Sequence, residues 1–148
     1  MTNGTKTRLE AVHPSPEKAS IMPYAPAVIA PPGSRIMYVA GATASPLYHQ
    51  HPHVDAEHVH PHDIGEQTRR VMDSLKTVLD HVGASFGDVL KFNRYLTDIR
   101  DMDGVNAAMR PYLGDWRPAS TTLCVNQLSS PGARIEIDMV VALPPEKS

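Results

Sequence analysis

At 148 residues, with 14 Lys plus Arg against 16 Asp plus Glu and a net charge of −2, the chain has the size of one domain and no basic excess to offer a nucleic acid. The single cysteine, Cys124, excludes a disulfide within the chain, and no apolar run approaches the ~20 residues that cross a bilayer. The opening MTNGTKTRLEAVHPSPEKAS lacks the apolar stretch of a signal peptide, which points to a cytoplasmic protein with no membrane partner.

Residues 1–20 read as a partly flexible, polar N-terminal segment with one strand-like piece, RLEAV at 8–12. Residues 21–143 read as one domain, and 144–148 as a C-terminal tail. RIMYVAG at 35–41 is the first clear strand, preceded by the turn-forming PPGS. From Ile64 the period changes: Ile64, Val71, Leu75, Val78, Leu79 and Val82 recur at helical spacing, with charged residues on the other face. Asp63 is a natural N-cap, Glu66 stands three residues on as in a capping box, and Gly83 suits the position after the helix.

DVLKFNRYLTDI at 88–99 reads as a long strand. A second helix runs through Met102, Val105, Met109, Tyr112 and Leu113 and is closed by Gly114. TTLCVNQL at 121–128 and RIEIDMVVAL at 134–143 read as two more strands, joined as a hairpin by SSPGA. Strands alternating with two one-sided helices predict a two-layer α+β domain, its mixed sheet covered on one face.

No phosphate-binding glycine loop, GxSxG or CxxC is present. In RIEIDMVV, period two puts Glu136 and Asp138 on one face, where a carboxylate either points to water or holds a water as a base. Cys124 reads as a small buried hydrophobe or, given a histidine or other cation beside it that the sequence does not show, as a reactive thiol. The stretch YHQHPHVDAEHVHPHD at 48–63 gathers six of the chain's eight histidines. If extended, His49, His51 and His53 share a face, as do His58, His60 and His62. Three readings stay open: ligands for zinc, nickel or copper, polar groups lining a pocket, or a solvated loop.

Pro23-Tyr24, IMYVAG at 36–41, EQTRRVMDSLKTVLDHVGAS at 66–85, DVLKFNRYLTDIRDMDGVNAAM at 88–109, RPAST at 117–121 and RIEIDMVVAL at 134–143 occur in one familiar order. With them the chain resembles the Rid (YjgF) family of reactive-intermediate deaminases. The resemblance implies a chorismate-mutase-like protomer in a homotrimer, with a central β-barrel, the helices outside and a ligand cleft between adjacent subunits. It also implies hydrolysis of small imines or enamines to a keto acid and ammonia, without metal or organic cofactor. Some members are described as ribonucleases, and here the slight negative charge and the absence of a basic stripe argue against a nucleic-acid partner. Matched position by position, the cleft residues fall on Gly41, Tyr24 and Glu136, with Glu136 holding or activating the water.

This chain departs from the pattern at one point. After the proline-alanine of the late motif, deaminating relatives carry an arginine that grips the substrate carboxylate, and a cysteine two residues later. Here those positions are Ser120 and Thr122. A hydroxyl does not replace a bidentate guanidinium, so 2-aminoacrylate is not the expected substrate. Arg94, Arg117, Asn93, Cys124 and the histidine loop at 49–62 are the candidates for compensating contacts, in a deaminase-like hydrolase, a non-catalytic ligand-binding trimer or a metal-dependent variant.

Overall fold

The computed structural model describes residues 7–148. The flexibility expected at the start of the chain falls partly on 1–6, outside the described residues. Within 7–20 the chain forms strand β1 (Glu10–Val12) and a 3-10 helix, Pro16–Ile21. β1 pairs antiparallel with β2 (Ala27–Ile29), a strand without enough alternation to stand out in the sequence.

The main sheet is built from β3 (Arg35–Ala42), β4 (Val89–Leu96), β5 (Ala119–Cys124) and β6 (Ile135–Leu143), in the order β3-β6-β4-β5. Helices α1 (Ile64–His81) and α2 (Met102–Leu113) fill the connections β3 to β4 and β4 to β5. Two strand expectations are corrected here. The strand at 121–128 ends at Cys124 and begins earlier, at Ala119. The last two strands do not form a hairpin: β5 runs parallel to β4 through the α2 crossover, and β6 inserts antiparallel between β3 and β4. Crossover through a packed helix returns the chain in the same direction, and the two inner places are taken by β4 and by the strand most apolar on its helix-facing side.

That strand is β6. Ile135, Ile137, Met139, Val141 and Leu143 face the helices and pack with Val71, Met72, Leu75 and Leu79 of α1 and Val105 and Met109 of α2. As expected, the Asp63 carboxylate caps α1, accepting from the Glu66 amide at 2.8 Å. Glu66 does not reach back; its side chain accepts from Arg70 at 3.0 Å. Gly83, at φ +71°, ends the helix in the left-handed conformation that glycine adopts freely. Tyr112 OH donates to Asp73 Oδ1 at 2.7 Å, tying α2 to α1.

The other face of the sheet is only partly covered. At one end Leu9, Trp116 and Ala142 form a small second core, with the Trp116 indole donating to the Val89 carbonyl at 2.9 Å. Elsewhere this face carries Asn93, Tyr95, Glu136 and Asp138, and, on β3, the exposed Ile36 and Tyr38. No helix of the described residues is long and apolar enough to cross a membrane.

Candidate functional site

The two same-face carboxylates of β6 meet different surroundings. Asp138 is engaged: Asn93 Nδ2 donates to one oxygen at 2.8 Å and Tyr95 OH to the other at 3.0 Å. The bond to Asp138 is the leading cause that raises the Tyr95 hydroxyl's pKa. Glu136 receives no hydrogen bond from any described side chain. Burial, reinforced by the charge of Asp138, raises its pKa above the ordinary carboxylate value.

Gly41 makes room for this acid. The register of β3 shifts between Val39 and Ala42, and a Cβ built at Gly41 would run into Glu136 Oε1, with Cδ only 3.0 Å away. Around the pair opens a cavity of about 860 Å³ at the β3 edge of the sheet. Its lining includes His49, His53, Asp55 and His58 but no lysine or arginine. Glu136 and Gly41 also border a shallower hollow of about 340 Å³ with Tyr95 and Asp138.

A second cavity, of about 610 Å³, lies at the opposite edge between β5, β4, α2 and residues 20–24. Here are Tyr24, Arg94, Ser120 and Thr122. Arg94 reaches across from β4: its Nε donates to Thr122 Oγ1 at 3.1 Å and its Nη1 to Asn106 Oδ1 at 2.5 Å. No described carboxylate pairs with this half-buried guanidinium; burial lowers its pKa, yet an arginine stays charged at any physiological pH. Beside it, Ser120 Oγ is buried with no hydrogen-bond partner. Arg110 and Arg117 line the same cavity, and no acidic side chain does. Arg117 donates to the carbonyls of Gly114 and Trp116, which commits part of its charge to the turn before Pro118. A half-buried cation without a carboxylate partner, next to an unsatisfied hydroxyl, suits a small carboxylate, because charge-assisted bonds to it would satisfy the hydroxyl and the guanidinium's charge.

The histidine loop connects β3 to α1 and folds back on itself around a short 3-10 turn, Asp55–Glu57. The first triple, His49, His51 and His53, gathers, and His58 joins it, with adjacent ring centroids 4.6–5.4 Å apart; the second triple is split. His60 leaves the cluster, its Nε2 meeting Ser130 Oγ at 2.6 Å, and burial leads the causes that lower its pKa. His62 contributes its carbonyl to Arg134.

Of the residues singled out from sequence, Gly41 and Glu136 therefore share one cavity, while Tyr24, Arg94, Ser120 and Thr122 share the other. Asn93 serves Asp138. Cys124, expected to be buried, is exposed at the end of edge strand β5 and lines neither large cavity. Three residues went unremarked: Asn106 of α2, and Ser45 and Ser130, which no local pattern separates from ordinary loop serines.

The Endoribonuclease L-PSP family model matches residues 15–143. Against the 3-aminoacrylate deaminase RutC of Acinetobacter baylyi the chain is 32% identical over 88% of its own length and 95% of that protein. A RutC family protein of Pyrococcus abyssi is 39% identical, but over 45% of this chain and 52% of that one, so the chain spans about half the length of this relative. Among solved structures, the Rid family protein YyfB of Yersinia pestis superposes with a TM-score of 0.73 at 25% identity, covering 91% of this chain and 98% of that one.

Proposed function

We propose, on the premise that this chain belongs to the YjgF/RutC/Rid family, that it is a deaminase-type hydrolase of a small imine or enamine bearing a carboxylate. The observation that carries this reading is the half-buried, unpartnered Glu136 carboxylate set under Gly41 in an open cavity. The RutC relative is named for deamination of such an enamine acid, 3-aminoacrylate.

The chemistry asks little of the protein. Protonation of an enamine at carbon gives the iminium, whose C=N carbon is electrophilic. Glu136 takes a proton from water as the oxygen adds to that carbon, forming a carbinolamine. It then delivers the proton to nitrogen and, as the C–N bond breaks, takes up the proton of the new hydroxyl. Ammonia and a carbonyl compound leave, and that last proton returns to water in place of the one the enamine carbon took up. A base whose pKa is raised toward the working pH suits both transfers.

Arg94 is the anchor proposed for the carboxylate, with Ser120 and Tyr24 completing its surroundings. The guanidinium arises from β4 rather than from position 120 on β5, which moves the anchor by one strand and argues for a substrate other than 2-aminoacrylate. No cofactor enters this scheme.

Acid and anchor rise from the adjacent inner strands β6 and β4 on opposite faces of the sheet, and they line separate cavities toward its two edges, so neither cavity is a complete site. A head-to-tail ring of protomers sets one edge against the opposite edge of the next and closes on itself. We therefore assign the working cleft to the junction between protomers of a homotrimer. The exposed Ile36 and Tyr38 and the half-exposed Leu123 support burial of the open sheet side on assembly.

The test is ammonia release from a panel of imines and enamines generated in place. Turnover above buffer on at least one carboxylated member is expected. Glu136→Gln subunits, deficient in kcat, and Arg94→Leu subunits, deficient in KM, should regain activity at low substrate when refolded together, because one junction in the hybrid ring then holds both intact halves. Buffer-level rates throughout would defeat the reading. A metabolite retained by the purified protein but never turned over would move it to a ligand-binding trimer.

A further inference from the structure

We infer that His49, His53 and His58 form a binding site for a divalent metal of the zinc class, its open position facing the cavity that holds Glu136. This inference stands independently of the hydrolase reading. One ring nitrogen from each of the three lies within 4.8 Å of the others. Zinc–nitrogen bonds of ~2.0–2.1 Å in a tetrahedral site put nitrogens about 3.3 Å apart. Small side-chain rotations in a surface loop close that difference.

The hydrogen bonds around the rings bear the stronger argument. His49 Nδ1 sits 3.2 Å from the Pro46 carbonyl. A carbonyl only accepts, so the proton is on Nδ1 and the lone pair is on Nε2. His58 Nδ1 is held at 3.0 Å by Ser45 Oγ and at 3.4 Å by Ser130 Oγ, while its Nε2 is buried with no partner. One nitrogen steadied by an oxygen and the other bare is the arrangement that ligating histidines show, the outer partner setting tautomer and ring orientation. The loop's own shape is set by a separate bond, the Gln50 amide donating to Glu57 at 2.8 Å.

Ligand chemistry narrows the ion. Three imidazoles without a thiolate suit zinc, nickel or copper(II), and they suit calcium or magnesium poorly, since those ions prefer oxygen. Three protein ligands leave a fourth position for water, as catalytic zinc sites do. His49, His53 and His58 all line the cavity shared with Glu136, so that water opens toward the acid. His51 stacks at 4.7 Å from His49 and is the only described residue near enough in that ring cluster to offer a fourth imidazole.

The untagged chain, stripped with a chelator and titrated with Zn²⁺ against a chromophoric competitor, should take up one ion per chain. Co²⁺ in its place should give the visible absorption of a four-coordinate centre. His53→Ala, at an exposed position where folding is unaffected, should weaken Zn²⁺ binding by at least about 100-fold, since ligand loss costs no less than the 10–100-fold of outer-shell changes. Ser45→Ala should fall within that outer-shell range. His62→Ala, outside the cluster, should change nothing. Non-integral uptake, or a loss in His62→Ala as large as in His53→Ala, would reduce the site to the general metal affinity of a histidine-rich loop and overturn the proposal.

Discussion

The two large cavities divide the site's chemistry between them. The one at the β3 edge holds an acid with no cation to neutralise it; the one at the β5 edge holds cations with no acid. An ion pair between Glu136 and Arg94 would stabilise a single protomer, but it would also spend both groups. Held on opposite faces of the sheet, each keeps its charge and its reactivity. Half-buried charges left without an opposite charge are a cost to folding and a mark of function. Asp138 is the contrasting case, only two residues from Glu136 on the same face. Asn93 and Tyr95 satisfy both its oxygens, and it shapes the field around Glu136 rather than meeting a substrate.

The largest expected break in this division is Glu136→Gln, which keeps shape and removes the base. On the substrate found, kcat should fall by about 10²–10⁴-fold, the usual worth of a positioned general base, while binding of an unreactive keto acid stays nearly constant. An unchanged kcat would return Glu136 to the class of solvated strand residues. Gly41→Ala asks the same question with the carboxylate still present. The added methyl displaces it, and a misplacement near 1 Å can cost up to about 10²-fold in kcat.

On the cationic side, Arg94→Leu should raise KM by roughly 10- to 100-fold, the worth of a charge-assisted hydrogen bond to a carboxylate, and Arg94→Lys should recover only part of it. A variant that instead loses kcat at constant KM would show that Arg94 acts on the reaction rather than on recognition.

The smallest effect concerns pH. The fold holds the Glu136 proton to a higher pH than the unfolded chain does, so its ionisation lowers stability as pH rises through the native pKa. Glu136→Gln should therefore unfold at higher denaturant than the parent at pH 8, by less than about 1 kcal/mol given its partial exposure to solvent, and lose that margin at pH 4. By the same sign, the acid limb of kcat should lie above the ordinary carboxylate range. Asp138→Asn should move that limb toward lower pH, because a neighbouring negative charge no longer opposes ionisation.

Much of the fold could be read residue by residue. The 3.6 period of α1, its Asp63 cap and its Gly83 stop are local properties, and α1 runs where they indicate. The alternation of β6 correctly predicted that Glu136 and Asp138 share one face. Strand order was not legible, because the turn residues between β5 and β6 allow a hairpin as readily as the wider separation observed. Only the competition among strands for the centre of the sheet decides between them.

The candidate site follows the same rule. Sequence by itself determined which groups were present: an acid on a strand floor, a serine where relatives carry an arginine, six histidines in one connection. Which of them meet was decided by tertiary structure. Arg94 lies against Thr122 because β4 and β5 run parallel in register, with Arg94 beside Thr122. His49, His53 and His58 converge because the loop reverses, bringing together residues that simple alternation would have sorted onto separate faces. Periodicity reports a side chain's direction from its own strand or helix; the company it keeps depends on contacts distant in sequence, which no local pattern records.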